Sequence, residues 1–286
     1  MRRLKGEYML AEKIDLYKYY GLKRPEGGAG YLYSYIPSPM PCYPGRLRPA
    51  MLVLGGGGYA YVSERETECV ALQFLAKGFC AFTLDYSVAP VRYPAQLNEA
   101  AMAMAYIREN AGKFGTDAAH VAVIGFSAGG HLAAMAGNIW NEENVAEKLG
   151  KPASFFRPDA AVLCYPVISS GEKSHGGSFN NLCGDDAALK DRLSVEKRVT
   201  PESCPAFIWT TADDGAVPSE NSILMAAAYK KQGVPFELHI FESGVHGLSI
   251  ATEETGYVNV PVQQWLPMCL TWLKNRGFAL RDEKQS

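Results

Sequence analysis

No C-x-x-C pair occurs among the seven cysteines of this 286-residue chain, and their number is odd. Cys42, Cys69, Cys80, Cys164, Cys183, Cys204 and Cys269 are scattered, most of them inside apolar runs such as Gly78-Phe79-Cys80-Ala81-Phe82. That pattern excludes a disulfide framework or a zinc–thiolate site as a first reading and fits free thiols in a reducing compartment. No apolar run approaches the ~20 residues a membrane-crossing helix needs. Arg2, Arg3 and Lys5 open the chain, but no apolar stretch follows them, so no signal peptide is read and a cytoplasmic location is expected. Beyond that start there is no Lys/Arg block, and the formal net charge is −2. Neither nucleic acid nor a membrane is therefore expected as a partner. The chain shows no internal repeat, no low-complexity tract and no G-x-G-x-x-G. In the two registers through Gly55–Gly58, the slot of the third glycine holds Ala60 or Tyr61.

What the chain does have is enough apolar sequence, 48% of its residues, for one large core, so residues 1–286 are read as a single domain. Strand and helix patterns alternate. Apolar runs at 50–54, 79–84, 120–124, 160–165, 206–210 and 236–241 predict strands. Residues 98–110, 220–232 and 261–275 predict helices, with Gly233 as a stop. Ser63-Glu64-Arg65-Glu66 has the spacing of a capping box and predicts a helix running to Lys77. Residues 1 to about 30 predict an irregular or partly helical lead-in, and Tyr31–Pro37 an early edge strand. The polar stretch of about 170–203 has weak periodicity and predicts a short cap-like insertion before a later strand. Repeated strand–helix–strand units imply an α/β fold: a mostly parallel central sheet with helices on both faces and the ligand site beyond the carboxyl ends of the strands.

Gly125-Phe126-Ser127-Ala128-Gly129 is a G-x-S-x-G motif between a predicted buried strand and a small-residue helix. Strand, sharp turn and helix are the context in which such a serine is pushed out above a sheet as a nucleophile. A serine hydroxyl needs a base, and the base needs an acid to fix its tautomer. Of the five histidines, His246 follows the last strand on a glycine-flanked loop and is the expected base. His120 starts a strand at the wrong edge, and His131 reads as a packing or helix-surface residue. His175 lies in the polar stretch and His239 in mid-strand. Asp213 and Asp214 both follow the preceding strand, and residue chemistry alone does not choose between them. Oxyanion donors are expected from the N–H of Ala128 and from the loop Gly55-Gly56-Gly57-Gly58-Tyr59.

In the order Ser, Asp, His, these residues resemble an α/β-hydrolase over roughly residues 45 to 275. Leu54-Gly55-Gly56-Gly57-Gly58-Tyr59 resembles the P-G-G-G-Y or H-G-G-G-[FW] loop of hormone-sensitive-lipase-like and acetyl esterases. Ser63–Glu66, Leu84-Asp85-Tyr86-Ser87-Val88 and Gly125–Ala133 resemble small bacterial carbohydrate acetyl esterases, some of them labelled acetylxylan esterase. Their acid motif D-x-x-V-P-x-E-N-S matches Asp214–Ser222, so the resemblance implies Asp214 as the acid. It likewise implies Gly57 and Gly58 as oxyanion donors. The chain departs from the pattern at Gly55, where the family has Pro or His, which predicts a looser loop. The resemblance implies a serine esterase acting through an acyl-enzyme on a small-molecule ester or an acetylated oligosaccharide, without cofactor or metal. Tyr59 and Tyr86 are the aromatic candidates for sugar contact. A fold of this kind often pairs through edge strands or closing helices, so a homodimer is compatible with it. The competing readings are a feruloyl or general short-chain carboxylesterase, a serine peptidase, and a catalytically inactive hydrolase fold used for binding.

Overall fold

The computed structural model describes residues 9–142 and 148–282. The basic start at Arg2, Arg3 and Lys5 lies outside these residues. Eight strands form one sheet: β1 (Leu10–Asp15), β2 (Tyr31–Ile36), β3 (Arg46–Leu54), β4 (Cys80–Asp85), β5 (Thr116–Phe126), β6 (Ala160–Cys164), β7 (Ala206–Thr211) and β8 (Phe236–Phe241). Their spatial order is β1-β2-β4-β3-β5-β6-β7-β8. The pairs from β4 to β8 are parallel, and β1 and β2 add antiparallel at one edge. The two-residue β9 (Arg281–Asp282) pairs with the start of β3. The expected α/β architecture is observed.

The period-two alternation of the parallel strands explains the layers. Ala50, Leu52 and Leu54 of β3, Val121 and Val123 of β5, and Ala206 and Ile208 of β7 point to one face. There they meet α3 (Ala95–Glu109), the short α4 (Ala111–Phe114), α5 (Ala128–Asn138) and α8 (Glu220–Gln232). Met51 and Val53, Ala122 and Ile124, and Phe207 and Trp209 point the other way, against α2 (Glu68–Ala76) and α10 (Trp265–Lys274). Two apolar faces on every central strand are what a sheet covered on both sides requires.

Three sequence expectations change. From Leu10 onward the lead-in is partly helical as expected, with α1 (Leu16–Tyr20), but the strand β1 precedes that helix, so β2 is not the edge strand. The Tyr17 hydroxyl donates to buried Glu99, which also accepts from Ser87 N and Oγ, and this ties the lead-in to the end of β4. The capping box does not form. Ser63 makes no side-chain cap, Glu64–Glu66 is a 3-10 turn, the backbone leaves helical geometry at Thr67, and α2 begins at Glu68. The closing helix is split at Gln264 into α9 (Val260–Gln263) and α10.

The 170–203 stretch folds as α6 (Gly176–Cys183), α7 (Ala187–Arg192) and a 3-10 turn at Val195–Lys197. Phe179, Leu182, Leu193 and Val195 are buried in the same apolar cluster as α3, α5 and α8. The insertion therefore packs as part of the domain rather than as a detached lid.

Candidate active site

Ser127 stands between β5 and α5 with φ 53° and ψ −118°, a left-handed conformation unusual for a residue with a side chain. The flanking glycines are sterically required. A Cβ at Gly125 would lie 2.0 Å from the Gly129 carbonyl oxygen, and one at Gly129 would lie 2.2 Å from that of Leu54. The turn is thus wedged against β3, and it is held by a hydrogen bond from Ser127 N to Cys164 O at 3.0 Å.

The His246 loop reaches back over this turn. His246 Nε2 lies 2.8 Å from Ser127 Oγ, and Nδ1 lies 2.7 Å from Asp214 Oδ2. The other Asp214 oxygen accepts from the N–H groups of Ala216 and Val217, each at 2.9 Å. Both Asp214 oxygens act as acceptors, so Nδ1 carries the imidazole hydrogen and Nε2 is free to accept from Ser127 Oγ–H. The Asp214 side chain is 1% exposed and that of His246 24% exposed, so the carboxylate is the desolvated end of the pair and the imidazole keeps contact with solvent.

Asp213 does different work. It is exposed, and its two oxygens accept from Ser243 Oγ at 2.6 Å and Gly244 N at 2.7 Å. These bonds hold its carboxyl below the usual aspartate range. They clamp the start of the loop that carries His246.

The N–H groups of Gly57, Gly58 and Ala128 find no acceptor among the described residues. Gly57 has φ 116°, and a Cβ there would lie 2.2 Å from Tyr61 O. Despite Gly55 in place of Pro or His, the loop is pinned on every side. Tyr86 OH donates to Gly55 O at 2.6 Å, Gly56 N to Glu66 Oε2 at 2.8 Å, and Asn181 Nδ2 to Gly58 O at 2.9 Å.

Tyr59 and Tyr86 are corrected. Both rings are 1% exposed, packed edge to face, and their hydroxyls are bound to His131 Nδ1 and Gly55 O. They support the loop from within and present no ring to a sugar; the exposed aromatic of this loop is Tyr61. Their burial follows from their neighbours, which no local pattern encodes.

Two site residues escaped sequence reading. Glu66, spaced as a capping partner, instead turns inward and is 3% exposed. Besides Gly56 N it accepts from Tyr165 OH at 2.6 Å, and Tyr165 OH in turn accepts from Ser249 N at 2.8 Å. The Tyr165 ring lies edge-on to His246, 5.0 Å between centroids. One carboxyl group thus joins the glycine loop to the histidine loop. The other is His175 at the start of α6, close to Gly58. His131 is a packing residue as expected, with Nε2 bonded to Leu193 O.

Residues 40–229 match the family model BD-FAE. The chain is similar to the endo-1,4-beta-xylanase B of Butyrivibrio fibrisolvens, 34% identical over 72% of this chain and 33% of that protein. It is also similar to the acetylxylan esterase of Xylanibacter ruminicola, 28% identical over 71% of this chain and 42% of that protein. It therefore spans about a third to two fifths of the length of these two relatives. A solved structure, the acetyl ester-xyloside bifunctional hydrolase of Caldicellulosiruptor lactoaceticus, superposes with TM-score 0.83 and 36% identity over 96% of this chain and 100% of that one. With a family match across most of its length and a mostly parallel sheet carrying the serine elbow, the chain belongs to the BD-FAE family and has the α/β-hydrolase fold.

Proposed function

We propose that the protein is a serine carboxylic ester hydrolase that removes acetyl groups from sugars or oligosaccharides through a covalent acyl-enzyme. The observation that carries this reading is the continuous hydrogen-bonded line Ser127–His246–Asp214 at a strained elbow beside a loop with unpaired N–H groups. Ser127 Oγ attacks the ester carbonyl as its proton passes to His246 Nε2. Asp214 holds the imidazolium. Gly57, Gly58 and Ala128 donate to the oxyanion, each donor contributing about 3 kcal/mol to the transition state. His246 then protonates the departing alkoxide, and water repeats the sequence on the acyl-enzyme. The likeness to proteins named for acetylxylan and acetyl ester-xyloside hydrolysis supports the acetyl and sugar parts of the reading.

The test is kcat/KM on p-nitrophenyl acetate, butyrate and octanoate and on an acetylated xylo-oligosaccharide, with S127A as the blank. The expected result is at least about tenfold preference for acetate over octanoate, with acetic acid released from the oligosaccharide. S127A should lower kcat by about 10⁴-fold or more while keeping the fold. A peak at butyrate or octanoate with no release from the sugar would make the protein a general carboxylesterase. Turnover retained in S127A would remove the nucleophile assignment.

A further inference from the structure

His175 stands outside the relay but beside it. It is the N-cap of α6, and its Nδ1 accepts from Ser178 N at 3.3 Å and lies 2.8 Å from Ser178 Oγ. A backbone N–H can only donate, so Nδ1 carries no hydrogen and the neutral ring carries its proton on Nε2. Burial first, and the neighbouring His246 second, hold the His175 pKa below the ordinary imidazole value, which keeps the ring neutral at pH 7. Nε2 meets no acceptor among the described residues. The ring faces the oxyanion loop: a Cβ built on Gly58 would lie 3.8 Å from His175 Cε1 and 3.7 Å from Ser178 Oγ. Gly58 O is itself held by Asn181 of the same helix, and Phe179 packs edge-on to buried His131. The ring is therefore presented from a capped, anchored helix rather than from a free loop.

His246 must deliver its proton to the leaving oxygen. The His175 ring stands beside Gly58 and within electrostatic reach of His246, the group that must hand its proton to the leaving alcohol. We propose that His175 is a specificity-determining residue whose Nε2–H donates to an oxygen on the carbon next to the acylated one, so that the substrates are acyl esters of polyols or sugars with a free neighbouring hydroxyl. This rests on the esterase reading of the Ser127 site. A half-buried donor left unpaired by an alcohol lacking that oxygen disfavours such a substrate.

The experiment compares kcat/KM on 2-hydroxyethyl acetate and ethyl acetate, with a monoacetylated xyloside alongside, for the wild type, H175N and H175A. Asparagine is a good N-cap and its Oδ1 can still accept from Ser178 N, so H175N keeps α6 capped, while its Nδ2 donor overlies the ring's Cδ2, one bond short of Nε2, and is withdrawn from an oxygen placed to meet Nε2. The wild type is expected to favour the hydroxylated ester by about tenfold. Both variants are expected to bring that ratio to about one, and H175N carries the test if H175A loses its fold. A wild-type ratio near one, or a ratio unchanged in H175N, overturns the proposal. If the ratio behaves as expected while the xyloside is not cleaved, the role of His175 stands and the sugar reading falls. If the xyloside is cleaved and the ratio does not respond to H175N, the sugar reading stands and His175 is only a helix cap.

Discussion

Two adjacent aspartates at the end of β7 show how finely roles divide at the scale of one residue. Asp214 is buried, fixed by two backbone N–H groups and aimed at His246 Nδ1. Asp213 is exposed and bound to Ser243 and Gly244 at the base of the histidine loop. D214N is expected to lower kcat by about 10⁴-fold, because an amide in that place favours the wrong imidazole tautomer. D213N loses only a surface clamp and should cost less than about tenfold. Steady-state kinetics on p-nitrophenyl acetate decide the ranking, and the reverse order would move the acid to Asp213. The backbone strain at Ser127 belongs to the same scale: φ 53° is sustained because Gly125 and Gly129 let three backbone segments meet where side chains would collide.

At the scale of elements, the glycine loop after β3 and the histidine loop after β8 are far apart in sequence but share one carboxyl group. Glu66 accepts from Gly56 N and from Tyr165 OH, while Tyr165 receives Ser249 N and packs against the His246 ring. Glu66 is thus a positioning residue. E66A would leave the Gly56 N–H and the Tyr165 hydroxyl unsatisfied in a buried place, at a cost of about 1–3 kcal/mol each. The expected outcome is a fall in kcat of about tenfold to a hundredfold with a smaller change in KM, partly restored in E66Q, whose amide oxygen can still accept from Gly56 N. Kinetics for both variants, with melting temperatures recorded in parallel, test this. A lower melting temperature with unaltered kcat would make Glu66 structural only. The sequence suggested a helix cap here because Ser63 and Glu66 have the right spacing. In the structure Ser63 N donates to Gly56 O at 3.0 Å and the Glu66 carboxylate accepts from Gly56 N and Tyr165 OH, so both partners of the expected return bond are engaged elsewhere.

Across the whole molecule, His131 ties three regions together. It bonds Tyr59 under the glycine loop and Leu193 in the 170–203 insertion, from its own place on α5. Complete burial brings its pKa down to about 4 from the ordinary 6.5. A basic group depressed in the folded state stays neutral there while the unfolded chain takes up the proton. Its contribution to stability is therefore whole above about pH 6.5 and is lost as pH falls toward about 4. H131Q should be less stable than the wild type at pH 7, with the difference between the two narrowing by up to about 3 kcal/mol on acidification. Urea unfolding midpoints at pH 7 and pH 5 measure this, and a difference independent of pH would show that His131 is not held neutral.

The legible part of this protein is what short stretches of chain encode. Two-faced apolar runs specify buried parallel strands, and Gly233 stops α8 where expected. Ser127 and His246 follow strands in the order that brings them together, because the carboxyl ends of parallel strands share one edge. Asp214 needed the family motif, since neighbouring aspartates differ only in what surrounds them. Other features depend on partners tens or hundreds of residues away and have no local signature. Glu66 turns from cap to bridge, Tyr59 and Tyr86 from sugar-contact candidates to buried supports, and His175 from a polar-stretch residue to a neighbour of Gly58. Local periodicity and turn chemistry thus determined the central strands and the serine elbow between β5 and α5. Tertiary packing alone decided which polar groups were desolvated together, and so which of them hold the site in place.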